Sequence, residues 1–196
     1  MDILIIAGIC YLVGSIPSGF ILTKIFLNKD IRDVGSGNIG ATNALRTGNK
    51  FIGYATLFLD IIKAVIPVIY IKFNLPEFLY IVSLCIFLGH VFPIWLKFKG
   101  GKGVATYLGI LFAINIYFGL VFIISWLLTF ALSKYSSLSS LIASISIPIY
   151  LLILTKIFLN KDIREIGSGN IGATNALRTG NKLIGYSTLI LDIVKA

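Results

Sequence analysis

The residues best equipped for chemistry gather at Gly35-Ser36-Gly37-Asn38-Ile39-Gly40-Ala41-Thr42-Asn43-Ala44-Leu45-Arg46. Gly35, Gly37 and Gly40 free the backbone to turn so that several N–H groups converge. Ser36, Asn38, Thr42 and Asn43 add short polar side chains, and Arg46 adds a planar cationic fork. Backbone nests, helix N-termini and guanidinium groups hold clustered phosphate oxygens well. A second basic, glycine-rich stretch runs Lys97-Phe98-Lys99-Gly100-Gly101-Lys102-Gly103-Val104-Ala105-Thr106, just after Gly89-His90-Val91-Phe92-Pro93. His90 is the one imidazole, suited to general base chemistry or to a structural hydrogen bond beside Pro93. With one histidine no Ser-His-Asp arrangement forms, and no carboxylate pair stands out for acid–base work.

Neither loop is a nucleotide fold. Gly35–Gly40 matches G-x-G-x-x-G, but that fingerprint needs a βαβ unit, and apolar runs of membrane length flank it here. The Lys102 stretch is not a Walker A loop, because Gly103 stands where Ser or Thr is required. Both remain candidate phosphate cradles, against the plainer reading of tight connectors. Two of them on one side of a membrane favour the cradle.

The elements that must position these loops are apolar. The chain has 196 residues, 57% of them hydrophobic and 13% charged, with mean hydropathy +0.96. Soluble chains carry about 25% charged residues, so the reading is an all-α, polytopic membrane bundle of about five to seven transmembrane helices. The net charge of +9 falls in short segments between apolar runs, which points to positive-inside loops rather than nucleic acid binding. Cys10 and Cys85 lie within apolar runs and read as buried thiols, and no spacing suits a metal. Asp2 before Ile3–Val13, with no small-residue cleavage site after it, favours a retained first span over a signal peptide.

The spans are expected at about Ile3–Leu22, Phe51–Ile71, Phe78–Leu96 and Leu138–Leu159. Between the last two, Val104–Leu132 exceeds the ~30 Å apolar core and must be one tilted span or a broken pair. Gly14-Ser15-Ile16-Pro17-Ser18-Gly19 interrupts the first span, as a cavity wall or as a simple kink. Asp60 and Lys63, one turn apart inside the second, read first as an intrahelical ion pair and second as a substrate contact. Counting spans puts both glycine-rich loops on one side. Being the most basic, that side is expected to be the cytoplasm, with the N-terminus outside.

Ile153–Ala196 repeats Ile21–Ala64 at an offset of 132 residues, with six mild differences over 44 positions. The chain therefore divides into a membrane domain, 1–152, and a near-identical duplicate, 153–196. Four spans intervene, so the copies share one orientation, unlike the inverted repeats of transporters. The last apolar run, Leu183–Ala196, would extend only ~21 Å as a helix, too short to cross the core.

Gly14-Ser15-Ile16-Pro17, Gly35–Arg46, and Gly89–Pro93 followed by Phe98–Thr106 resemble the bacterial membrane glycerol-3-phosphate acyltransferases of the PlsY type, over about residues 1–150. The resemblance implies transfer of a fatty acyl group from acyl phosphate to the 1-hydroxyl of sn-glycerol 3-phosphate, forming lysophosphatidate in the bacterial cytoplasmic membrane. It implies no cofactor and no nucleic acid partner. The first motif supplies Ser36, Asn38 and Arg46 as catalytic groups, with Gly35, Gly37, Thr42 and Asn43 around the phosphate. The second, likened to a phosphate-binding loop, supplies Lys99, Gly100, Gly101, Lys102 and Gly103, with His90 upstream as a further catalytic candidate. The family's third motif, near the C-terminus, has its place taken by the repeat. Two other readings use the same residues: a phosphorylated-solute transporter or anion-binding membrane protein, and a remnant of the family without activity.

Overall fold

A computed structural model describes residues 3–158, with side chains to 153. Apart from the overlap at 153–158, the repeat lies outside the described residues, and so does the short apolar run at 183–196. All regular secondary structure among the described residues is helical. The chain divides into two compact units, Met1–Gly119 and Leu120–Ala196, a different division from the one the repeat suggests. Packing defines the first boundary and copying the second.

The first unit opens with α1 (Ile3–Gly14) and α2 (Ser18–Leu27). Pro17 cannot donate a backbone hydrogen bond, so the helix is interrupted between them. The short α3 (Ala41–Leu45) lies within the first glycine-rich loop, and α4 (Lys50–Asn74) follows, its N-terminus capped by the Asn49 side chain accepting from Ile52 N. Next come α5 (Leu79–Val91), the second glycine-rich loop, and α6 (Val104–Ile114). The second unit contains α8 (Ser136–Phe158) and most of α7 (Ile116–Ser133), whose Trp126 Nε1 donates to Ser140 Oγ at 3.1 Å.

Five stretches among the described residues are long and apolar enough to cross a membrane: Ile3–Leu27, Lys50–Asn74, Pro76–Leu96, Ile116–Ser133 and Ser136–Ile153. The long run after Val104 is broken into two helices, of which only α7 is long enough to cross. Asn115 adopts an extended backbone between α6 and α7, and its Oδ1 accepts from Tyr117 N. The freed carbonyls of Ala113 and Ile114 are taken by Lys72 Nζ at 3.1 and 2.8 Å, as apolar surroundings require.

Hydrophobic burial gives helices little reason to associate in lipid, so close van der Waals packing must hold them together. Large apolar side chains such as Leu4, Ile25, Phe58 and Phe73 point outward, while glycines line the contacts. A methyl group on Gly14 would strike the carbonyl of Ile86, and one on Gly89 the carbonyl of Tyr11, so α1 and α5 touch backbone to backbone. Gly109 does the same for α6 against Ile61 of α4.

Candidate functional site

The first glycine-rich loop is built around one side chain. Asn43 is 2% exposed. Its Oδ1 accepts from Ser36 N at 2.9 Å, and its Nδ2 donates to the carbonyls of Ile31, Val34 and Asn38 at 3.1, 2.8 and 2.8 Å. Asn38 Oδ1 accepts from Gly40 N at 3.0 Å, shaping the entry to α3. Gly35 and Gly37 take positive φ, +55° and +71°, where a side chain costs roughly 1–2 kcal/mol. Gly35 also lets Arg46 lie over the turn, since a methyl there would sit 2.8 Å from Arg46 Cδ. Ser36, Thr42 and Arg46 remain exposed, and Asn38 is half-buried. The loop thus spends Asn43 on its own shape and leaves Ser36, Thr42 and Arg46 at the surface.

On the approach to this loop, Arg32 makes a two-pronged contact with Asp30, Nη2 to Oδ2 at 2.6 Å and Nε to Oδ1 at 3.0 Å. That guanidinium holds the Asp30 carboxyl down at about 2. Arg32 also stacks over the Phe20 ring at 5.2 Å.

The second loop is fastened to the end of α5. Gly100 N donates to Val91 O and Gly101 N to His90 O, both at 3.1 Å. Gly101 is buried against the His90 ring, and the half-buried Gly100 lies against the His90 and Val91 carbonyls, so neither has room for a side chain. Gly103 caps α6 at φ +76°, its missing side chain replaced by the Phe87 ring. Upstream, Lys97 and Phe98 are both left-handed, at φ +53° and +62°, a conformation that sequence gave no reason to expect. Lys99 and Lys102 are exposed.

One apolar cluster joins the two loops. Ile31, Ile39 and Ala44 of the first pack with Ile52 of α4 and with Leu96, which directly precedes the second. Phe20, Leu22 and Leu27 of α2 pad the same cluster. Both loops therefore sit at one end of the first unit.

His90 lies deeper, 3% exposed. Its Nδ1 is 2.9 Å from Lys63 Nζ and 3.7 Å from Asp60 Oδ1. The Asp60–Lys63 ion pair expected from spacing is present at 2.8 Å. Lys63 also donates to Ile16 O at 2.8 Å, taking up a carbonyl freed where α1 gives way to α2. Sequence alone missed both of these longer contacts of Lys63, because neither Ile16 nor His90 is near it in the chain. The metal-type clusters sought among the described residues are absent.

A helical protein with membrane-length apolar stretches and two glycine-rich, cationic loops at one end is, as a class, an integral membrane protein. Comparison with known proteins narrows this. The profile of the glycerol-3-phosphate acyltransferase family matches residues 4–155, and again 150–196. The chain is 73% identical over 153 residues to the glycerol-3-phosphate acyltransferase of Pelagibacter ubique, covering 78% of this chain and 80% of that protein. It is 50% identical over 147 residues to that of Bartonella henselae, covering 72% and 70%. It is also similar to a crystal structure of PlsY, an integral membrane glycerol 3-phosphate acyltransferase, in its glycerol 3-phosphate form. That match has TM-score 0.76 and 30% identity, over 98% of this chain and 85% of the other. The lysophosphatidic acid form matches with TM-score 0.70 and 31% identity, over 96% and 87%. The chain belongs to the glycerol-3-phosphate acyltransferase family, and these matches favour acyl transfer over the transport reading.

Proposed function

We propose that this chain transfers a fatty acyl group from acyl phosphate to the 1-hydroxyl of sn-glycerol 3-phosphate, releasing lysophosphatidate and phosphate. The acceptor's hydroxyl oxygen bonds to the acyl carbon, the bond from that carbon to the phosphate oxygen breaks, and the hydroxyl proton ends on the departing phosphate. An acyl phosphate is a mixed anhydride with an easy leaving group, so strong acid assistance is unnecessary. Holding the reactants in attack geometry and offsetting repulsion between two phosphates supplies most of the acceleration.

The observation that carries this reading is the shared cluster of Ile31, Ile39, Ala44, Ile52 and Leu96, which holds both loops at one end of the first unit. Arg46 and Lys102 then clamp phosphates, with Lys99 adding charge. Ser36 and Asn38 orient the reacting groups. Gly35, Gly37, Gly100, Gly101 and Gly103 offer N–H groups or the room to approach them, Thr42 adds a hydroxyl, and Asn43 keeps the first loop in shape. The acyl tail of the donor stays in the bilayer beside the apolar helices. By the excess of lysine and arginine in these loops, they face the cytoplasm and the N-terminus lies outside, in the bacterial cytoplasmic membrane.

The test is direct. Membranes containing the full chain, supplied with acyl phosphate and glycerol 3-phosphate, make lysophosphatidate, and Arg46→Ala removes most of the product. No product above the Arg46→Ala background refutes the catalytic reading.

A further inference from the structure

Lys63 is buried in the middle of α4, and its ammonium lies within 2.9 Å of three polar atoms, one an ion-pair partner and two hydrogen-bond partners. They are Asp60 Oδ1 at 2.8 Å on its own helix, Ile16 O at 2.8 Å at the break after α1, and His90 Nδ1 at 2.9 Å on α5. An ammonium group donates and never accepts. His90 Nδ1 must therefore accept, which leaves the ring proton on Nε2. That nitrogen faces Gly101, where a methyl group would land on it. The backbone of the same histidine takes the Gly101 N–H, and Val91 takes that of Gly100. Gly101 of the second loop thus lies on an imidazole whose proton and rotation are fixed from behind.

A buried ion pair is a poor way to gain stability, because apolar side chains of similar volume serve as well or better. Charges at membrane depth are costlier still. Something other than stability must account for three polar side chains meeting here. We propose that Asp60, Lys63 and His90 are positioning residues that set the second glycine loop for phosphate binding. Asp60 pairs with Lys63 and holds it in place, Lys63 fixes the tautomer and orientation of His90, and the His90 ring supports Gly101. The tie from Lys63 to Ile16 links the same support to the interruption in the first span. This inference rests on the phosphate role proposed above for the loop, and it moves His90 from proton transfer to support.

Because the chain has a single histidine, nitrogen-15 labelling of histidine reads this ring alone in the full-length protein, purified without a histidine tag. The wild type is expected to show one tautomer, with the proton on Nε2 and a bare Nδ1, and Lys63→Met to show both tautomers in exchange. In a glycerol 3-phosphate titration of the same samples, Lys63→Met is expected to weaken binding by about tenfold or more, as befits loss of a charge-assisted contact. Asp60→Asn keeps the side-chain volume and is the second variant, should Lys63→Met not fold. It is expected to weaken binding in the same direction by a smaller factor. A wild-type ring carrying its proton on Nδ1, a wild type that binds no glycerol 3-phosphate, or folded variants that bind it as tightly as the wild type would each overturn the proposal. The expected shifts in a chain that transfers no acyl group would support the positioning role and sink the proposed reaction instead.

Discussion

Replacing Asn43 tests how the first loop is held. Its side chain makes four contacts of hydrogen-bond length, one from Ser36 N and three to the carbonyls of Ile31, Val34 and Asn38. Nδ2 has only two hydrogens for its three carbonyls, so the four contacts amount to about three full bonds. At about 1 kcal/mol net each, Asn43→Ala should cost the closed loop about 3 kcal/mol, and more where a stranded carbonyl stays dry. Tenfold corresponds to about 1.4 kcal/mol, so the closed loop should become on the order of a hundredfold less favoured. Hydrogen exchange reads this at one amide, Ser36, whose N–H loses its acceptor and should exchange faster by a similar factor. Acyl transfer should fall with it. Asn43→Asp separates shape from polarity, because it keeps an acceptor for Ser36 N but sets an oxygen against three carbonyls. It should be worse than alanine at neutral pH and recover partly in acid, where a protonated carboxyl can donate once. Unchanged Ser36 exchange and unchanged activity in Asn43→Ala would refute the idea that this side chain holds the loop.

Other outcomes follow from the packing. Gly89→Ala should separate α1 from α5, since the added methyl meets the Tyr11 carbonyl; overpacking of this kind costs about 1–3 kcal/mol, read as a lower thermal midpoint in detergent. Lys72→Met should strip the carbonyls of Ala113 and Ile114 of their donor, a loss of about 1–3 kcal/mol visible as faster exchange at the end of α6. The Asp30–Arg32 pair is partly exposed and should contribute less than about 1 kcal/mol. Its sign is still definite. Arg32 lowers the Asp30 carboxyl to about 2, so its contribution is full above the ordinary carboxylate value near 4 and is lost as the pH falls towards 2. Asp30→Asn should remove that acid-side loss and leave stability at pH 7 nearly unchanged, as a thermal scan against pH will show.

What the sequence determined by itself was whatever depends on local composition and order. Membrane-length apolar runs dictate helices because a backbone in lipid must satisfy its own polar groups. Pro17 marks where the first of those helices breaks, whereas the break at Asn115 came from the structure, the sequence having left open whether Val104–Leu132 was one tilted span or a broken pair. The glycines and cations of both loops stood out as candidate phosphate cradles, and the spacing of Asp60 and Lys63 foretold their pairing. Tertiary structure decided everything that joins distant residues. It turned Asn43 from a candidate phosphate contact into the buried centre of its loop, because four backbone groups from residues 31–38 converge on that amide. It gave Lys63 the Ile16 carbonyl and the His90 ring, partners 47 and 27 residues away. It also packed Leu96 among Ile31, Ile39 and Ile52. Such contacts arise when helices dock through glycine faces, and no local pattern in the chain records which faces will meet.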